Sequence, residues 1–156
     1  MNKLVYAAAF TLAISSIAPA YARNLNDANA SHLGNSSAIP NYAQDSDATH
    51  KFDVHVQGKA ISELMINLPE GVKINRGVEV RNKSGRKIPA TVSINDKKVT
   101  VAFSEAVNPG TSLSVNMKGV STPGYEKTWH YPISVNKVGI KEESSLGLAR
   151  IQTYGS

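Results

Sequence analysis

The feature that most restricts the fold of this chain is strict alternation of apolar and polar residues. Segment 52–56 alternates Phe, Asp, Val, His and Val, which puts its apolar side chains on one side of an extended chain. Alternation of period two is typical of half-buried antiparallel strands. It returns in seven further segments, namely 64–68, 78–81, 92–94, 99–103, 113–117, 129–135 and 146–154.

The segments between these alternating runs are rich in turn-forming residues, such as Pro69-Glu70-Gly71 and Asn108-Pro109-Gly110. No segment shows a sustained helical period with capping residues. The pattern therefore predicts an all-β fold, an antiparallel β-sandwich of the immunoglobulin-like kind with about eight strands.

The N-terminus has the three parts of a secretory signal peptide. Lys3 precedes an apolar run over residues 4–17, and small residues follow at Ala20 and Ala22. This pattern predicts a signal peptide over residues 1–22 with cleavage before Arg23. The alternative is a transmembrane anchor, but the run is short for a hydrocarbon core about 30 Å thick. We expect an exported protein, periplasmic or extracellular, with no transmembrane anchor after cleavage.

Residues 23–49 differ in composition from the rest of the chain. They are dominated by Asn, Ser, Ala and Asp, and their apolar residues are sparse and aperiodic. Such a segment buries too little apolar surface to offset the entropy lost on ordering. We therefore predict a flexible leader over residues 23–49 and a β-sandwich domain over residues 50–156.

Charge and cysteine content exclude several classes of function. Removing residues 1–22 takes away one Lys and no acid, which leaves 16 Lys and Arg against 12 Asp and Glu, a net charge of +4. The positive residues are scattered, so no nucleic-acid partner is expected, whereas an acidic glycan or wall polymer is favoured over a basic partner. With no cysteine, the chain has no disulfide, thiolate metal site or thiol catalysis.

Several segments together resemble a known family. They are 52–56, 64–72, 99–103, 107–111 and 146–154, and the last, with its Gly-x-Ala-Arg-Ile-x-x-Tyr run, is the most specific. Over roughly residues 50–154 the chain resembles the exported cyanobacterial domain-of-unknown-function family DUF2808. The resemblance implies an exported, sandwich-like domain. It implies no activity and no catalytic or binding residues.

Metal binding is the alternative that the histidines leave open. His55 and His130 both lie on predicted strands, and the thioethers of Met65 and Met117 are available; imidazole and thioether both suit copper. No His-x-His spacing occurs, and His32 falls in the predicted leader. An ordinary surface histidine remains the competing interpretation at each position.

Catalysis has less support in the sequence. Asp53 and His55 share a strand face, but no Gly-x-Ser-x-Gly motif, phosphate loop or dinucleotide motif accompanies them. Trp129 and Tyr131 share a face that is expected to be core, and the exposure of Tyr125 stays open. We predict no enzyme activity and no cofactor.

The predicted function is that of an exported, non-enzymatic domain that binds or organises an unknown protein or glycan of the cell envelope. The alternative is a periplasmic protein that binds copper or another metal through His55 and His130.

Overall fold

The computed structural model describes residues 30–155, which form two facing antiparallel sheets. The strand order is β1-β2-β7-β4 in the four-stranded sheet and β5-β6-β3-β8-β9 in the five-stranded sheet. The predicted all-β sandwich is confirmed, with nine strands where about eight were expected. The strands are β1 (His32–Ile39), β2 (Ala48–His55), β3 (Ile61–Asn67), β4 (Lys73–Asn82), β5 (Ala90–Ile94), β6 (Lys98–Val107), β7 (Ser112–Ser121), β8 (Lys127–Lys137) and β9 (Ser144–Thr153).

The core lies between the sheets and follows from the alternation in the sequence. In β2 every second residue is buried along its whole length. Phe52 and Val115 of the four-stranded sheet and Trp129 and Ile66 of the five-stranded sheet are all fully inaccessible to solvent. The other set of side chains on each strand points away from the core, so each sheet presents an outward face.

Strand β1 corrects the prediction of a flexible leader over residues 23–49. It forms the edge of the four-stranded sheet and pairs with β2 along most of its length, and β2 itself begins at Ala48. The segment has few apolar residues, but backbone hydrogen bonds to a neighbouring strand provide the ordering that its own burial could not. The predicted signal peptide and residues 23–29 lie outside the described part of the chain.

The tight turn that follows β4, before the chain crosses to β5 in the other sheet, is held by one side chain. Oδ1 of Asn82 accepts hydrogen bonds from the backbone N–H of Ser84 at 3.0 Å and of Arg86 at 2.9 Å. Gly85 takes a φ of 87°, which a residue with a Cβ rarely adopts. This turn fixes the position of Lys83 beside the outward face of the four-stranded sheet.

No helix long and apolar enough to cross a membrane occurs within residues 30–155.

Candidate functional site

The outward face of the four-stranded sheet is mostly polar. Ser37 of β1, Lys51 of β2, Asn116 of β7 and Glu79 of β4 lie side by side across the four strands. Adjacent side chains in such a row are about 5 Å apart and can interact directly. The strand register therefore determines which charges meet on this face.

Glu79 is the centre of an ion-pair network. Its carboxylate lies 3.0 Å from the Arg81 guanidinium, 3.1 Å from the Lys118 ammonium and 3.5 Å from the Lys87 ammonium. The hydrogen bond from Lys118, supported by that from Arg81, holds the pKa of Glu79 below its ordinary value. One half-buried carboxylate thus holds three cations together at the surface.

Lys51 and Lys83 extend this cluster along a shallow depression of the same face. Within residues 30–155 neither of them forms an ion pair. Three cations therefore pair with Glu79, and two more line the same depression. We call these five residues the basic face: Lys51, Arg81, Lys83, Lys87 and Lys118.

A second cluster lies at the other end of the same face. His32 of β1 and His55 of β2 are directly opposite each other, and their ring centroids are 5.0 Å apart. Nδ1 of His55 is 2.9 Å from the Ser112 hydroxyl, and Nδ1 of His32 is 3.0 Å from the carbonyl oxygen of Ala30. We call His32 and His55 the histidine pair.

The structure does not bring the two predicted metal ligands, His55 and His130, together. His55 points outward from the four-stranded sheet, whereas His130 is exposed on β8 of the five-stranded sheet, opposite Arg150. The whole core separates the two outward faces. Of the predicted pair, only His55 has an imidazole neighbour, and that neighbour is His32.

Sequence reasoning missed His32 because its segment has the composition of a leader. The register of β1 on β2 includes an irregularity between Leu33 and Ser36, and no sequence pattern predicts such a bulge. No set of three or more His, Cys, Asp or Glu side chains that could hold a metal ion occurs in the part of the chain that the structure describes.

His50, the remaining one of the four histidines, is a core residue and not a surface one. It is 1% exposed, and its Nδ1 is 2.7 Å from the hydroxyl of Tyr131 in the opposite sheet. Burial lowers the pKa of His50 from 6.5 to about 4, and burial raises the pKa of Tyr131. His50 is therefore neutral at physiological pH and out of reach of solutes.

The aromatic residues divide between core and surface. Trp129 and Tyr131 are fully buried, as predicted, and the indole N–H of Trp129 donates to the Thr153 hydroxyl at 2.9 Å. Tyr125, whose exposure the sequence left open, is 52% exposed, with its ring centroid 5.7 Å from that of Trp129. The burial of Trp129 and Tyr131 keeps both rings from contacting a ligand at the surface.

The fold is similar to those of several solved proteins. BslA, a bacterial hydrophobin, matches with a TM-score of 0.53 at 14% identity over 82% of this chain and 96% of that chain. A putative membrane anchored protein from Corynebacterium diphtheriae matches with a TM-score of 0.50 at 12% identity, over 81% of this chain and 35% of that chain. The collagen-binding domain of a Staphylococcus aureus adhesin matches with a TM-score of 0.46 at 10% identity, over 79% of this chain and 97% of that chain. At these identities the similarity concerns the sandwich fold alone.

Sequence comparison gives a family but no characterised relative. No curated protein matches the sequence. The sequence model of a family described as "Protein of unknown function (DUF2808)" matches residues 26–152.

Proposed function

This chain belongs to the DUF2808 family of proteins of unknown function, and we propose that it is an exported, non-enzymatic domain that binds an anionic polymer of the cell envelope on its basic face. The observation that carries the proposal is the cluster of five cations around Glu79. The partner is an acidic glycan or wall polymer, recognised by its repeated negative charge.

The arrangement of the basic face suits a long ligand better than a single ion. Its cations are spread over β2, β4, β7 and the β4–β5 turn, so successive charges of a polymer meet successive strands. Lys118 and Arg81 are held in place by Glu79, which reduces the side-chain entropy lost on binding. Lys51 and Lys83, which form no ion pair within the described residues, are available to the ligand.

Neutral hydrogen-bonding groups lie between these cations. Ser114 and Asn116 of the central strand β7 line the same depression and point outward. A hydroxyl and an amide both donate and accept hydrogen bonds, as the hydroxyl groups of a sugar require. The mixture of cations and amides supports a charged glycan as the ligand.

The contact between His55 and Ser112 does not support catalysis. A serine nucleophile needs an adjacent base and also donors for the oxyanion that forms in the reaction. Ser112 begins β7, which lies between β2 and β4, so the backbone N–H groups of that strand are committed to the sheet. The face is also open to solvent, and its shallow depression would not exclude water from a reacting group.

Binding to a defined acidic polysaccharide tests the proposal. We expect the purified protein to bind polygalacturonate in isothermal titration, to bind neutral dextran at least about tenfold more weakly, and to lose affinity as salt is raised. The variant Lys51→Gln/Lys83→Gln/Lys87→Gln should reduce the affinity for polygalacturonate about tenfold or more.

The matched control is Lys59→Gln/Lys97→Gln/Lys141→Gln, which removes the same charge from exposed turns outside the basic face. It should bind like the unmodified protein. Equal losses in both triple variants would show that net charge alone drives binding, and that result would overturn the proposal. Binding of dextran as tightly as polygalacturonate would overturn it as well.

A further inference from the structure

We propose that the histidine pair, His32 and His55, is a binding site for a transition-metal ion of the Cu²⁺ and Zn²⁺ class. The site lies at the β1–β2 edge of the four-stranded sheet and is independent of the basic face. It differs from the pair His55 and His130 that the sequence suggested, because the strand register gives His55 a different partner.

The separation of the two rings fits two ligands of one ion. When two imidazole nitrogens bind one ion at about 2.0 Å with a near-tetrahedral angle, the ring centres lie about 5 Å apart. The observed distance between the centroids is 5.0 Å, with an angle of 39° between the ring planes. If the two rings lay on opposite sides of an ion in a linear complex, their centres would be roughly 6 Å apart. The observed distance between the centroids is closer to the value for a bent N–metal–N angle.

The hydrogen bonds of the pair leave the right nitrogens available. A carbonyl oxygen only accepts hydrogen bonds, so Nδ1 of His32 donates to Ala30 and the lone pair of the neutral ring is on Nε2. Nδ1 of His55 contacts the Ser112 hydroxyl, which can accept its proton in the same way. Metal-binding histidines commonly donate their second N–H to an oxygen of this kind, which fixes the tautomer and the ring orientation.

Gly34 allows the imidazole of His55 to lie close against the backbone of β1. A Cβ at this position would lie 2.7 Å from Nε2 of His55 and 3.1 Å from Cβ of Asp53. Any other residue would therefore press against the nitrogen that is left to bind an ion. The bulge between Leu33 and Ser36 brings this glycine to the histidine and to Asp53, whose carboxylate lies on the same face.

The chain before His32 is anchored, so the pair is held in place before an ion binds. The Ser31 hydroxyl accepts a hydrogen bond from the N–H of Gln57 at 2.9 Å and donates to its carbonyl oxygen at 3.2 Å. These two bonds attach the start of β1 to the chain just after β2. A site held in advance loses less entropy when it binds its ligand.

Two imidazoles with open positions suit Cu²⁺ best among the common divalent ions. Imidazole is a ligand for Cu, Ni and Zn, and Cu²⁺ has the highest affinity of the series for a given set of ligands. Water would fill the remaining positions. We therefore expect Cu²⁺ to bind more tightly than Zn²⁺.

Titration of the metal-free protein with CuSO₄, and separately with ZnSO₄, tests this site. We expect one Cu²⁺ per chain by calorimetry, with an electron paramagnetic resonance spectrum that shows coupling to imidazole nitrogen. His32→Asn and His55→Asn should each weaken Cu²⁺ binding at least about tenfold, since even the loss of a residue that only orients a ligand has an effect of that size.

The matched control is His130→Asn, which removes an exposed histidine from the opposite sheet and should leave the affinity unchanged. Melting of every variant in EDTA shows whether it is folded. Copper binding that survives both His32→Asn and His55→Asn would overturn the proposal, as would an equal loss in His130→Asn. A spectrum without nitrogen coupling would overturn it too.

Discussion

Strand β2 carries two histidines in very different surroundings, and their comparison shows how one strand serves both the core and a surface site. His50 points into the sandwich and is 1% exposed, with the Tyr131 hydroxyl of the opposite sheet as its partner. His55 points outward, half-buried, and its partners His32 and Ser112 belong to its own sheet. The five-residue separation places the two on opposite faces, because side chains alternate along a strand.

The two histidines differ in their access to solvent. Both imidazoles have a hydrogen-bond partner at Nδ1, at 2.7 Å for His50 and 2.9 Å for His55. His50 is enclosed by the core, so its protonation would place a charge in an apolar environment. His55, on the outward face, can therefore bind an ion, whereas His50 links the two sheets through its hydrogen bond with Tyr131.

Lowering the pH should have the largest effect on the stability of the protein, and this effect should come from His50. The pKa of His50 is lowered to about 4 in the folded protein and is 6.5 when unperturbed. Between these values the unfolded chain binds more protons than the folded one, so stability falls as the pH falls from 6.5 to 4. The loss from His50 is on the order of 3 kcal/mol. Urea denaturation at several pH values between 7 and 4 measures it.

The double variant His50→Leu/Tyr131→Phe is the control for the acid experiment. It replaces both partners by apolar groups and should remove the part of the pH dependence that lies above pH 5. Glu79, whose pKa is lowered from 4.5, contributes at lower pH and is present in both proteins. A slope that is unchanged in the double variant would contradict the account of His50.

Removal of the Tyr131 hydroxyl should have the next largest effect. Tyr131→Phe leaves Nδ1 of His50 without its partner in the core, at a cost of about 1–3 kcal/mol in the free energy of unfolding. Tyr125→Phe removes a hydroxyl from a side chain that is 52% exposed and should change stability by less than about 0.5 kcal/mol. Chemical denaturation at pH 7 gives the free energy of unfolding of both variants. Equal losses in the two would show that the hydrogen bond between His50 and Tyr131 contributes nothing to stability.

The sequence predicted the core of this fold well because the core depends on a local pattern. Alternation alone places Phe52, Trp129 and Tyr131 on inward faces, and the structure buries all three. Most of the turns were equally visible because they contain Gly or Pro, although the turn between β5 and β6 contains neither. These features require no knowledge of which strands are neighbours.

The candidate sites could not be predicted in the same way, because they depend on pairing between distant strands. Lys51 and Glu79 share a row only through β7, and His32 meets His55 only through the register of β1 on β2. The polar composition of residues 23–49 also concealed β1, whose order comes from backbone bonds to a neighbour. A single sequence has no signal for such non-local pairing.

Gly34→Ala tests whether the imidazole of His55, on the outward face, lies against the backbone of β1. The new methyl group would meet Nε2 of His55 at 2.7 Å, so the imidazole has to move, at a cost of about 1 kcal/mol. In the His55→Ala background the same substitution should cost less, because the ring it strikes is gone. Thermal melts of the four proteins in the double-mutant cycle measure the coupling. Strict additivity would show that the ring does not lie over Gly34.

The smallest effect should come from His55 itself in the absence of metal. His55→Asn removes an imidazole that is only half-buried and whose hydrogen-bond partner, Ser112, has access to water. Its stability in EDTA should therefore differ from that of the unmodified protein by about 0.5 kcal/mol or less.

With Cu²⁺ added, the two proteins should separate, because an ion that binds only the folded state stabilises it in proportion to the logarithm of its concentration over Kd. The melting temperature of the unmodified protein should rise, and that of His55→Asn should stay nearly constant. A loss of several kcal/mol in EDTA would instead make His55 a structural residue like His50. In that case the two faces of β2 would serve the same purpose, and the outward histidine would have to be explained by stability alone.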